Sequence, residues 1–283
     1  MKQSSTLLIA GLVVALPCLV IAPAEAASKY PTRIISLSPS ATEDLFAIGA
    51  GKQVVGVDTL SNYPASAPKT KLDAFTPNVE AIAKFKPDLV VLQTSATKAQ
   101  SVKSALEALK IKVYFEETPS NITGAYSEIA ALGAATGHSA QAVRLVASMK
   151  ASIKAAIAKG LRKTPLPIFH EVDSTLYSAT SKTFIGRVYA DFNTANVADA
   201  ADTADSYGYP QLTSEYLLKS NPTVIFLGDE QTPTQVSARP GWSSIDAVSK
   251  NCVYVLPADI PSRWGPRLVN FYQFVSSTLA AIK

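Results

Sequence analysis

The stretch that most restricts the fold is SAQAVRLVASMKASIKAAIAKG, residues 139–160, which holds no proline and no glycine before its last position. Val143, Val146, Met149, Ile153 and Ile157 recur at steps of three or four, so one apolar stripe predicts a single amphipathic helix from about Ser139 to Lys159. At about 1.5 Å per residue it is roughly 30 Å long. Ser139 is the expected N-cap and Gly160 the expected stop. A helix of this kind is a rod, and it either bridges two bodies or packs inside one; its composition leaves both open.

On either side of it, short apolar runs alternate with helical patterns. Arg33–Ser38, Val54–Asp58, Leu89–Gln93 and Lys112–Glu116 read as strands before the helix, and Pro167–Asp173, Thr223–Gly228 and Asn251–Leu256 after it. The period implies α/β architecture, with mostly parallel sheets flanked by helices. The expected division is 1–26 as a signal peptide, 30–137 as a first lobe, 138–161 as a bridging helix and 162–283 as a second lobe.

The first residues carry the export signal: Lys2, an apolar run from Leu7 to Ile21, then Ala24-Glu25-Ala26 as a small-x-small cleavage site. The run is short for a spanning helix and Pro17 and Pro23 interrupt its end. Cys18 follows Pro17 inside the run, where lipoprotein signals carry a small residue, so lipidation is not expected. Once Cys18 is removed Cys252 is the remaining thiol, no internal disulfide forms, and Cys252 is expected as a small buried side chain. The formal charge of +4 is spread without aromatic interleaving, which gives nucleic-acid binding no support.

Two segments repeat a pattern. In TPNVEAIAKFKPDLVVL, Glu80 is followed by Ile82, Lys84 and Pro87, and in QLTSEYLLKSNPTVIFL, Glu215 is followed by Leu217, Lys219 and Pro222 at the same offsets, each leading into a strand. Thr76 with Pro77, and Thr213, are the expected caps, placing both carboxylates in a first helical turn. There they either complement the helix dipole or present a matched pair of exposed acids to a basic partner.

RIISLSPSATEDLFAIGAG, followed by VVGVDTLSNYP, NVEAIAKFKPDLVV, the long helix and the closing SRWGPR, resembles the helical-backbone (class III) periplasmic solute-binding proteins of cobalamin, iron-siderophore and haem ABC importers, and most closely their cobalamin branch. The resemblance covers nearly all of the chain after the leader. It implies two lobes bridged by a rigid helix, a ligand in the shallow cleft between them, and no catalysis. It also implies that Glu80 and Glu215 dock on arginines of the permease dimer, since a two-lobed receptor on a two-fold permease needs such a pair. The expected protein is a periplasmic monomer, without a cofactor of its own, whose partners are an ABC permease and a large cofactor-like solute. Cobalamin or a related corrinoid is the first choice of ligand, followed by a ferric siderophore and then haem.

The same resemblance places the Ser-Pro-Ser corner in the cleft wall, with Ser38 and Ser40 as ligand-facing hydroxyls, and Ser95 in a cleft loop. Ser40 with Glu43 fits a capping box. Position in the family pattern selects Tyr63 and Phe75 on the near lobe, and Phe169, Tyr177, Tyr207 and Trp264 on the far lobe, as aromatic surface with polar tips. Arg263 beside Trp264 could grip a carboxylate while the indole stacks. Each of these aromatics reads equally as lobe packing.

Three other chemistries are weaker. A serine hydrolase using Ser38 or Ser95 lacks the G-x-S-x-G elbow, and Ser95-Ala-Thr-Lys98 lacks the companions of an S-x-x-K site. Gly49-Ala-Gly51-Lys52 ends a helix and starts a strand, the wrong order for a phosphate loop. His138 and His170 are the two histidines, too few for a bare zinc or manganese site; were haem the cargo, His170 or a tyrosine would be the candidate axial ligand.

Overall fold

A computed structural model describes residues 28–282; the export signal and Cys18 lie outside the described residues. The first lobe is built on β1 (Ile34–Leu37), β2 (Val54–Asp58), β3 (Lys69–Leu72), β4 (Leu89–Gln93) and β5 (Lys112–Glu116), a wholly parallel sheet in the order β3-β2-β1-β4-β5. Around it lie α1 (Pro39–Ala47), α2 (Val79–Ala83), α3 (Ala99–Ala108) and α4 (Ile122–Thr136). The second lobe has β6 (Leu166–Glu171), β7 (Thr194–Asn196), β8 (Val224–Leu227) and β9 (Val253–Val255), also parallel, in the order β7-β6-β8-β9. Between the lobes runs α5 (Ser139–Gly160), and α6 (Phe184–Ala190), α7 (Ser214–Ser220), α8 (Pro233–Ser237), α9 (Asp246–Ser249) and α10 (Leu268–Ala281) complete the second. The inner strands β1, β4 and β8 are buried along almost their whole length, which is why they read as continuous apolar runs.

The helix α5 lies against α4 of the first lobe and α10 of the second, and one apolar cluster runs through all three into both sheets. Its buried face is Ala142, Met149, Ile153, Ala156 and Gly160, a stripe rotated from the expected one: Val143 is 66% exposed. Small residues set this rotation because they let the helices approach. A Cβ on Gly133 of α4 would sit 2.5 Å from the Ala142 side chain, and one on Gly160 would sit 2.7 Å from the Ser276 backbone of α10. Gly160 is thus a close-packing residue inside the helix rather than its terminator. The residue before the helix, His138, takes the cap position without a side-chain cap bond, and Ser139 is the first helical residue. Cys252 is partly exposed just before β9, where burial was expected.

The repeated segments occupy equivalent places. β4 pairs with β1, the first strand of its lobe, and β8 pairs with β6, the first strand of the other. Glu80 and Glu215 are each the second residue of the preceding helix, both exposed. Thr213 caps α7 as expected, whereas the cap of α2 is Asn78, whose Oδ1 accepts from the Ala81 amide at 2.9 Å; Thr76 and Pro77 precede it.

Candidate functional site: the cavity between the lobes

In parallel sheets the strand ends point their following loops to one edge. Here Ser40 after β1, Leu60 after β2, Ala74 and Phe75 after β3, Gln93 and Ser95 around the end of β4, and Thr118 after β5 line one cavity of about 380 Å³. Ser262, Arg263 and Trp264 of the second lobe close its far side. Ser40, Phe75, Ser95, Arg263 and Trp264, expected separately from the sequence, therefore meet around one space. Leu60, Gln93 and Thr118 were not anticipated, although the strand-end rule alone would have found them.

The Ser-Pro-Ser corner is wired mostly to itself. Ser38 is fully buried and caps α1, its Oγ accepting from the Ala41 amide at 3.2 Å and from Gln93 Nε2 at 3.2 Å. Thr42 Oγ1 lies 2.8 Å from both Ser36 Oγ and the Ser38 carbonyl and 3.0 Å from Ser61 Oγ. Ser38 is a cap beneath the cavity, and the expectation that it faces ligand is corrected. The Ser40/Glu43 capping box is absent as well, because both side chains reach the other lobe. Ser40 Oγ accepts from the Trp264 amide at 3.3 Å, and Glu43 takes Arg267 Nε at 2.9 Å and Nη2 at 2.5 Å. Asn62 Nδ2 donates to Asp259 at 2.6 Å on the same seam.

The remaining aromatic candidates divide. Trp264 packs against Phe184 at 5.8 Å between ring centroids while lining the cavity. Phe75 is 54% exposed at the cavity, held by a turn in which Asp73 Oδ1 accepts from the Phe75 amide at 2.7 Å. Tyr63 lies outside the lining and stacks on the Arg267 guanidinium, 4.6 Å away. Phe169 is wholly buried with Ile225 and Leu227 in the core of the second lobe, because β6 is an inner strand, so it is not a cleft residue. Tyr177 and Tyr207 are exposed on loops of the second lobe away from the cavity lining. His170 is buried with Nδ1 2.9 Å from the Tyr189 hydroxyl, and burial lowers its pKa to about 4; it is a neutral core residue without access to a haem. Among the described residues no group of three or more His, Cys, Asp or Glu is arranged to hold a metal ion.

Beneath the cavity floor lie buried acids. Asp44 is pushed well above the usual carboxylate range, first by burial and then by Glu116, Glu43 and Glu128. Burial raises Glu116 at the end of β5 to about 7. Its carboxyl is near the Ser38 hydroxyl and the Ala41 amide without reaching hydrogen-bond geometry to either. At pH below about 4.5 folded and unfolded chains both hold this proton; between 4.5 and about 7 only the folded chain does. Stability from this group therefore falls as pH rises through that window, and the cost is complete above it. Glu116→Gln is expected to stabilise the chain by about 3 kcal/mol at pH 8 and to leave it unchanged at pH 4, measured by urea unfolding at both. Equal stability of the two chains at pH 8 would show that Glu116 is not held protonated by the fold.

The comparisons with known proteins fit this geometry. Residues 34–260 match the periplasmic binding protein family. The chain belongs to that family. It is 35% identical over 253 residues to an ABC transporter substrate-binding lipoprotein of Bacillus subtilis, covering 85% of this chain and 77% of that one. It is 26% identical to a vitamin B12-binding protein of Vibrio vulnificus over 89% of this chain and 91% of the other. The crystal structure of a possible iron-binding periplasmic solute-binding protein from Staphylococcus epidermidis superposes with a TM-score of 0.76 at 27% identity, over 88% of this chain and 99% of that chain. The two parallel lobes joined by α5 are the class III periplasmic binding protein fold. The protein is the non-catalytic solute-binding component of an ABC importer, and its partner is the permease. No helix among the described residues is long and apolar enough to cross a membrane.

Proposed function

We propose that the protein captures cobalamin or a related corrinoid in the cavity between its lobes and delivers it to the permease. The observation that carries this reading is the composition of the cavity wall: Phe75 and Trp264 supply flat apolar surface from opposite lobes, and Ser40, Gln93, Ser95 and Thr118 supply neutral hydrogen-bonding tips. A macrocycle edged with amide groups needs both kinds of contact. The name of the Vibrio vulnificus relative supports the same choice. Residues 1–26 act as a cleaved export signal to the periplasm, and the lobes at 30–137 and 162–283 move little about the helix at 138–161. The protein works as a monomer, without nucleic acid, and Glu80 and Glu215 are its contacts to the permease. A ferric siderophore or haem is the alternative cargo in the same cavity.

The two tryptophans make a fluorescence test available, since Trp242 is fully buried in the second lobe and Trp264 lines the cavity. Cyanocobalamin is expected to quench emission saturably. Trp264→Phe is expected to remove most of that signal, and a change to alanine to weaken binding about tenfold through the lost stacking surface. Unchanged quenching in Trp264→Phe would place the ligand elsewhere.

A further inference from the structure

Lysines that look evenly spread in the sequence are gathered by the fold. In a wholly parallel sheet every strand begins at one edge, and in the first lobe that edge lies opposite the cavity, which is built from the loops after the strand ends. Lys52 precedes β2, Lys84 and Lys86 precede β4, Lys110 precedes β5, and Lys112 is the first residue of β5. Lys29 joins them from the segment before β1. All six are exposed, and none makes an ion pair among the described residues. Because β2, β1, β4 and β5 are successive neighbours, at about 4.8 Å per strand the lysines lie along a strip roughly 15 Å wide.

The acids at this edge are already engaged. Asp88 accepts from the Thr32 amide at 2.8 Å, the Thr32 hydroxyl at 2.9 Å and the Arg33 amide at 3.0 Å. Glu107, in the last turn of α3, pairs with Lys103 at 3.7 Å. A helix C-terminus favours one nearby cation, which accounts for Lys84, Lys86 and Lys110 singly, but Lys29 and Lys112 end no helix. Lys29, Lys110 and Lys112 line a single cavity of about 400 Å³ together with Tyr30. Leu109, next to Lys110 in the chain, is 54% exposed. Lysines interleaved with a tyrosine and a bare leucine have the chemistry of a membrane interface: ammonium groups meet phosphates, the phenol sits at headgroup level and the aliphatic side chain reaches the acyl boundary. A soluble polyanion would call for the charges alone.

We propose that this edge of the first lobe binds the headgroups of an anionic phospholipid bilayer. Ser28, the first described residue, lines the same cavity, so the proposed export leader joins the protein here and holds this edge beside the membrane during export; the orientation rests on that reading of residues 1–26. The cavity between the lobes opens at the opposite end and stays uncovered on the lipid. Glu80, at the start of α2, is at that opposite end too, so lipid contact and permease contact are separate states of the receptor.

The test is co-sedimentation of the chain from Ala27 onward with vesicles of phosphatidylglycerol and phosphatidylcholine in equal parts, against vesicles of phosphatidylcholine alone. Binding to the anionic vesicles is expected at about 0.1 M salt and its loss at about 1 M, where the screening length falls from about 10 to about 3 Å. Lys29→Gln, Lys110→Gln and Lys112→Gln together are expected to weaken binding about a hundredfold, about fivefold for each basic residue taken from the surface. Lys71→Gln, Lys98→Gln and Lys150→Gln remove the same charge near the end of β3, after β4 and beside the first turns of α4, and are expected to leave binding within about threefold. Equal loss in the two triple variants would show attraction to net charge alone and overturn the assignment to this edge. Wild-type protein that ignores the anionic vesicles, or binds the neutral ones equally, would overturn the proposal. Binding to soluble polyglutamate without binding to vesicles would give the strip to a soluble polyanion and overturn it as well.

Discussion

Charge reversal at both Glu80 and Glu215 is expected to abolish permease-dependent uptake while ligand binding by the isolated protein stays unchanged. Each carboxylate is exposed on the second residue of a helix that leads into an inner strand of its own lobe, and neither makes an ion pair among the described residues. The equivalent placement in the two lobes is what the proposed two-point attachment to the permease requires, and under that proposal each single reversal should reduce uptake by about tenfold or more and the pair should remove it. The far-UV spectrum and thermal unfolding should move little, since both side chains are at the surface. Transport that persists in the double variant would assign the acids to local helix electrostatics alone, the other reading of their position.

The second large effect falls on Arg239. Its two terminal nitrogens each lie 2.6 Å from an oxygen of Glu171, whose side chain is fully buried at the end of β6, and its guanidinium stacks over Trp242 at 4.5 Å. Burial pushes the Glu171 carboxyl up, and Arg239 pulls it back down. Arg239→Met would leave a buried carboxylate uncompensated, and about 3–5 kcal/mol of stability is expected to be lost at pH 7. In the variant the acid relieves itself by taking a proton, so the loss should shrink as pH falls toward 5, where the unfolded chain also begins to hold that proton. Adding Glu171→Gln should recover most of the stability at pH 7. Urea unfolding of the three chains at both pH values measures this, and a single variant within about 1 kcal/mol of wild type would contradict it.

Much of the fold was legible because inner parallel strands and a long amphipathic helix leave periodic signals. The strands at 54–58, 89–93 and 112–116 were anticipated with the bounds that the fold gives them. Lys69–Leu72 and Thr194–Asn196 were missed, and both are edge strands: the first alternates exposed and half-buried residues with one buried leucine, and the second is three residues long. With one neighbour and one open side, an edge strand needs little apolar sequence. The site was less legible for a different reason. A capping box and an inter-lobe ion pair use the same Glu43, and sequence spacing sees only the local option. Phe169 failed because an aromatic at a strand end looks the same whether it faces the core or the cleft. Arg267 stands in SRWGPR with no acid near it in the sequence, while the fold pairs it across the seam with a residue 224 positions earlier.

The most direct measurement of the central claim is equilibrium dialysis of the chain from Ala27 onward against cyanocobalamin, with haem and a neutral ferric trihydroxamate in parallel. One cyanocobalamin per chain at micromolar affinity or tighter, reduced by Trp264→Ala, is the expected result. No cyanocobalamin retained by a folded chain that saturates with haem or the siderophore complex would contradict it.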